Sequence, residues 1–167
     1  MIAAITGKEA HQTTGRGAGS PDDMLARKVE VVAQALEVNS PNPNDPLDVL
    51  SKVGGLELAG MAGFMIGGAA RAVPVVIDGV ISCASALIAV GLAPHASDYL
   101  IAGHTGCEPG IQVALAHLEK EPLVDLGMRL GEGSGALVAL SVIRCGARVL
   151  RDMSTFESSG VSGRIDA

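Results

Sequence analysis

The sequence predicts an α/β fold in which parallel strands are covered by helices, and three observations lead there. Apolar residues make up 48% of the 167 positions, Gly occurs 22 times, and aromatics contribute 2%, with no Trp. A core of that composition is assembled from Ala, Val, Leu and Ile around closely approaching backbones, which suits packed helix and sheet layers better than an aromatic-rich sandwich. PVVID, residues 74–78, is a short apolar run ended by Gly79, the pattern of a strand buried on both faces. VISCASALIAVGL and then YLIAGH follow it, so residues 74–104 read as strand, helix, strand, with the right-handed crossover that such units adopt. The length gives room for one domain.

In chain order, MIAAITG reads as the last turns of a helix stopped at Gly7, and KEAHQTTGRGAG as a loop rich in Gly and Thr. Ser20-Pro21-Asp22-Asp23 is a helix start. Ser20 is the expected cap, Pro21 takes the first helical position, and two acids face the positive end of the macrodipole. The helix runs through MLARKVEVVAQALEV with Leu25, Val29, Val32 and Leu36 along one half-exposed face. The three prolines of NSPNPNDP forbid its continuation. Asp45-Pro46 opens a helix through LDVLSKV, closed by Gly54-Gly55, and LELAGMAGFMIGGAARA makes a longer one whose small residues permit close packing. After the strand–helix–strand unit, GHTGCEPG is a loop and IQVALAHLEK a helix. EPLVDLGMRL then leads to LGEGSG, and SGALVALSVIRCGARVLRDM is a long apolar helix. The end, residues 157–167, reads as a disordered tail.

Charge and cysteine usage exclude several functions. A net charge of −6 lacks the basic footprint of a general nucleic-acid binder. Cys83, Cys107 and Cys145 are far apart and form neither a CxxC pair nor a His/Cys cluster, so neither a disulfide framework nor a structural metal site is expected. Residues 72–94 are apolar enough to attract a hydropathy window, and Gly63-x-x-x-Gly67 lies just upstream. Pro74, Asp78 and Gly79 interrupt the run, however, and no membrane span is predicted. The start lacks the pattern of a signal peptide, which makes a reducing cytoplasm the expected compartment.

Ligands of open α/β sheets bind beyond the carboxyl ends of strands, so Asp78-Gly79 and His104 are expected at one crevice. Each has a structural alternative: Asp78 as a cap for the next helix, His104 as a histidine satisfied by backbone. Gly15-Arg16-Gly17-Ala18-Gly19 precedes the helix carrying Lys28 and suits a phosphate, although it lacks the Walker ending and no strand comes before it; the alternative is a flexible surface loop with Lys28 a solvated helix residue. In LGEGSG, Glu132 stands between two glycines, either as the carboxylate of a site or as part of a turn and helix cap. Arg129 either holds an anion through its forked donors or pairs with Glu132.

Together, GRGAG with Lys28, DVLSKVGGLELAGMAG, PVVIDG, GHTGCEPG and EPLVDLGMRLGEGSGALVAL resemble the nicotinate-nucleotide–dimethylbenzimidazole phosphoribosyltransferase (CobT) family of cobalamin lower-ligand assembly. The blocks follow in order over residues 1 to about 156, a far more specific pattern than any single Gly motif. The resemblance implies a Rossmann-like parallel sheet with flanking helices, and transfer of 5-phosphoribosyl from nicotinate mononucleotide to 5,6-dimethylbenzimidazole without metal or other cofactor. It implies Glu132 as general base, Gly17 and Lys28 at the nucleotide phosphate, Asp78 and Gly79 near ribose and nicotinate, and Arg129 and Leu130 lining the same pocket. Family members are about twice this length, so residues 1–156 resemble the C-terminal half only. The implied partners are the two substrates and either further copies of the chain or a separately encoded N-terminal half. The alternative is a non-catalytic nucleotide-binding or assembly module derived from that enzyme.

Overall fold

The computed structural model describes residues 1–17 and 21–162. The Ser20 cap, the Asp22 and Asp23 side chains and the last five residues lie outside what is described. Among the described residues, helices and strands run in the order α1 (Ile2–Thr6), α2 (Ala10–Thr13), α3 (Asp22–Asn39), α4 (Pro46–Val53), α5 (Leu56–Ala70), β1 (Val75–Ile77), α6 (Val80–Leu92), β2 (Leu100–Ala102), β3 (His104–Gly106), α7 (Pro109–His117), β4 (Val124–Met128) and α8 (Ser134–Asp152). A 3₁₀ turn, Pro94–Tyr99, joins α6 to β2.

Most boundaries follow the local signals. Gly7 ends α1 in the left-handed conformation (φ 66°), and the Asp45 carboxylate caps α4 by accepting from the Leu47 and Asp48 amides. Leu25, Val29, Val32 and Leu36 of α3 are each half-buried, as the amphipathic pattern requires.

Three segments differ from expectation. The Gly/Thr-rich loop contains α2, a single turn held by a reciprocal cap in which the Glu9 amide donates to Gln12 Oε1 (3.0 Å). The second strand, expected to end at His104, is divided at Gly103 and its second part, His104–Gly106, runs on into the expected loop. The Gly103 N–H donates to Ile77 O (2.9 Å) on one side, while its carbonyl accepts from Val124 N (3.2 Å) on the other. β2 therefore pairs with β1 and β3 with β4, both in parallel. A Cβ at residue 103 would come within 2.9 Å of Ile77 O and 3.1 Å of Ala136 Cα, so only glycine fits where the chain changes partners. The third difference is β4 itself, read in the sequence only as an approach to the glutamate loop. Asp125 and Gly127 (φ 61°) give it no strand pattern, and its pairing opposite β3 is irregular.

The core lies around α6, whose residues Cys83 to Ala89 are all buried. Helix α5 packs along it, Gly91 receives Pro46 of α4, and Gly68 of α5 approaches Val75 of β1. Among the described residues neither the outer edge of β1 nor that of β4 has a strand partner. No described helix is long and apolar enough to cross a membrane.

The three cysteines are unpaired, with Cys83 buried and Cys107 and Cys145 exposed. Burial, with a smaller contribution from the Asp78 charge, pushes the Cys83 thiol up to about 12. Iodoacetamide at neutral pH should therefore label Cys107 and Cys145 in the native protein and Cys83 only after denaturation, as peptide mass mapping would read. Labelling of native Cys83 at a comparable rate would contradict this packing.

Candidate active site

Three strand-to-helix turns converge on one cleft. Asp78 and Gly79 follow β1, Cys107 and Glu108 follow β3, and residues 129–133 follow β4, so the carboxyl ends of three parallel strands supply the walls. The cleft holds about 590 Å³, within the usual range for small-molecule sites. A hollow of similar volume beside Arg144, Arg148 and Arg151 is walled by α8 alone and encloses nothing.

The sequence-designated residues Gly17, Asp78, Gly79, Arg129, Leu130 and Glu132 all line the cleft. Lys28 stands behind the glycine loop, where its Nζ donates to the Arg16 carbonyl (3.0 Å). Gly17 is left-handed (φ 65°) and its N–H donates to Glu108 Oε1 (2.8 Å).

Asp78 is the organising group. Its backbone N–H donates to Ser82 Oγ (2.9 Å), closing the turn into α6. Its carboxylate caps α8, which begins more than fifty residues later, rather than the helix that directly follows it. Oδ2 accepts from Gly133 N (3.1 Å) and Oδ1 from Ala136 N (2.8 Å). Those amides belong to the start of α8, where no intrahelical acceptor exists and the helix dipole favours negative charge.

His104 and Asp78 do meet at the crevice. The His104 side chain is 3% exposed and its Nδ1 lies 3.6 Å from Asp78 Oδ1, beyond hydrogen-bonding reach. Nδ1 has no hydrogen-bond partner among the described residues, so the alternative of a histidine satisfied by backbone does not hold at this nitrogen; Ser134 Oγ is likewise buried without a partner. Gly135 lies flat against the imidazole, in a space that a Cβ would share with the ring.

The glutamate turn is left-handed throughout: Gly131, Glu132 and Gly133 have φ of 77°, 54° and 80°. The flanking glycines adopt this conformation without penalty, whereas Glu132 bears a cost of about 1 kcal/mol. The turn closes through Ser134 N to Gly131 O (3.0 Å) and is anchored by the Gly133–Asp78 bond, which leaves the Glu132 side chain exposed at the cleft wall. Arg129 and Glu132, both described, form no ion pair with each other.

Sequence reasoning passed over Glu108, Ser82 and Met61, which also line the cleft. Pro109 at the first position of α7 marks the preceding residue as a helix boundary, but nothing local says that Glu108 reaches a loop 91 residues earlier. Among the described residues no group of three or more His, Cys, Asp or Glu side chains is placed to hold a metal ion.

The chain resembles known proteins along nearly its whole length. Residues 1–161 match a family model described as phosphoribosyltransferase. The chain is 53% identical over 165 residues to the nicotinate-nucleotide–dimethylbenzimidazole phosphoribosyltransferase of Chloroflexus aurantiacus, covering 99% of this chain and 47% of that protein. It is also 53% identical to the protein of the same name from Roseiflexus sp. (strain RS-1), with the same two coverages. In three dimensions it is similar to the crystal structure of CobT from Thermus thermophilus, with a TM-score of 0.89 and 41% identity over 98% of this chain and 48% of that one. The chain thus spans about half the length of the curated relatives it matches. With the family model, the relatives and the fold in agreement, the chain belongs to the phosphoribosyltransferase family that includes the nicotinate-nucleotide–dimethylbenzimidazole enzymes.

Proposed function

We propose that the cleft transfers 5-phosphoribosyl from nicotinate mononucleotide to 5,6-dimethylbenzimidazole, forming α-ribazole 5'-phosphate, with Glu132 as general base. The observation that carries this reading is the left-handed Gly131–Glu132–Gly133 turn, which holds a carboxylate at the wall of a cleft built from three strand ends. As one benzimidazole nitrogen donates its lone pair to the anomeric carbon, the bond from that carbon to nicotinate breaks and its electron pair leaves with the pyridine nitrogen. The proton on the other benzimidazole nitrogen passes to Glu132. Missing side chains at residues 131 and 133 leave clearance for a flat base. Arg129 and Leu130 line the path beside it, Asp78 and Gly79 take the ribose and nicotinate side, and Gly17 with Lys28 receives the phosphate. No step calls for a metal or other cofactor.

Catalysis in this reading needs the remaining family-length chain, because an open cleft admits water and orients substrates poorly. Exposed apolar side chains support a covering surface: Leu130, Leu137 and Leu150 are 76%, 70% and 89% exposed, and α8 is exposed at every residue from 144 to 152. That cover is a second copy or a separately supplied N-terminal half. The proposed compartment is the cytoplasm, which suits three unpaired thiols.

Nicotinate release from nicotinate mononucleotide and dimethylbenzimidazole tests the reading, with the chain alone and mixed with the N-terminal half of the Chloroflexus relative. Turnover should appear in the mixture and fall at least about a hundredfold for Glu132→Gln. Turnover indifferent to that substitution would remove Glu132 as the base. Saturable nucleotide binding with no turnover in either arrangement would favour the non-catalytic binding module.

A further inference from the structure

The turn after β3 and the start of α7 touch the end of α2 and the glycine loop at three points. Gly110 of α7 lies so close to Thr13 that a Cβ there would come within 2.7 Å of the Thr13 carbonyl. Pro109 packs against Gly15, where a Cβ would approach its Cδ to 2.9 Å. The Glu108 carboxylate fills the space in which a Gly15 side chain would stand, and Oε1 takes the Gly17 N–H at 2.8 Å. Glu108 and Gly17 both face the cleft. The backbone donor at the nucleotide-phosphate position is thus already occupied by an anion belonging to the protein.

We propose that Glu108 is an internal anion that holds the Gly15–Gly17 loop and competes with a ligand phosphate for the Gly17 N–H. It thereby determines how tightly phosphorylated ligands are retained. This inference rests on the reading of Gly17 as a phosphate contact. One N–H cannot serve two anions at full strength, and a carboxylate and a phosphate within a few ångströms repel each other. Phosphate binding therefore requires the carboxylate to swing away, so retention of a product phosphate is weaker than the loop amide would otherwise allow. Glu108→Gln isolates the charge from the strap, because the amide keeps the shape and an oxygen to accept from Gly17.

Inorganic phosphate, titrated at constant ionic strength into ¹⁵N-labelled full-length chain and its Glu108→Gln variant, tests this by amide chemical shift. The variant should bind phosphate at least tenfold more tightly, with the largest shift at Gly17, and nicotinate mononucleotide should show the same preference. The riboside without phosphate should show none. Equal or weaker phosphate binding by the variant, tightening centred away from Gly17, or no phosphate binding by either protein would each overturn the proposal. If phosphate behaves as expected while nicotinate mononucleotide binds neither protein, the nicotinate-nucleotide reading falls and the Glu108 competition stands. If the mononucleotide binds both equally well, the competition falls and the nucleotide reading stands.

Discussion

Gly135→Ala will lower folding stability by about 3 kcal/mol in urea titration. The direction opposes the local rule. Gly135 is the second residue of an α-helix, where alanine would ordinarily stabilise by about 1 kcal/mol through its better helix propensity. Here a Cβ would share space with the His104 ring, which is buried and whose Nδ1 faces Asp78. The ring cannot retreat without disturbing Asp78, and α8 cannot retreat without surrendering the two hydrogen bonds that cap it. A double-mutant cycle separates this clash from any general intolerance of the helix. In a His104→Ala background the added methyl should cost less than about 1 kcal/mol, since truncation opens the space it needs. If Gly135→Ala is neutral or stabilising in the wild-type background, the close packing of α8 on His104 is wrong.

Asp78→Ala will also cost about 3 kcal/mol, because it removes a charged acceptor that serves two amides at once. Two amides at the start of α8 lose a charged acceptor, and the His104 side chain loses the carboxylate beside it. Asp78→Asn should fall between wild type and alanine: its carbonyl oxygen can serve one amide, while its NH₂ faces the other. Native-state hydrogen exchange locates the damage. The Gly133 and Ala136 amides should exchange much faster in Asp78→Ala, while amides in the middle of α6 follow only the global loss of stability. A uniform change across the protein would argue against a local clamp. Under the proposed function, nicotinate release by the mixture with the N-terminal half should fall as well, since the Gly133 bond fixes the residue next to Glu132.

Much of the helical framework is visible in local chemistry. The Asp45-Pro46 start, the Gly7 stop and the half-buried face of α3 follow rules that act within one or two turns of chain. The same holds for β1 and the middle of α6, where apolar and small residues leave no charged face and burial follows. The second strand and β4 are less legible for a common reason. Gly103, Asp125 and Gly127 carry no intrinsic strand preference, and only the pairing of β2/β3 with β1 on one side and β4 on the other draws these segments into strands, Gly127 keeping its left-handed φ of 61°. The short helix α2 is masked by the Gly and Thr around it, although Glu9 and Gln12 three residues apart provide its cap.

At the cleft, residue chemistry located the turns but not their connections. Sequence alone determined that Asp78, Gly79 and Glu132 would stand at strand ends and helix starts, because glycines, caps and apolar runs report on the backbone beside them. Tertiary structure decided that the Asp78 carboxylate caps α8 rather than α6, that His104 lies against Gly135, and that Glu108 takes the amide of Gly17. Each of those contacts joins residues dozens of positions apart. Their cost or benefit arises only when the sheet brings the segments within hydrogen-bonding or van der Waals reach, and no local preference carries that distance.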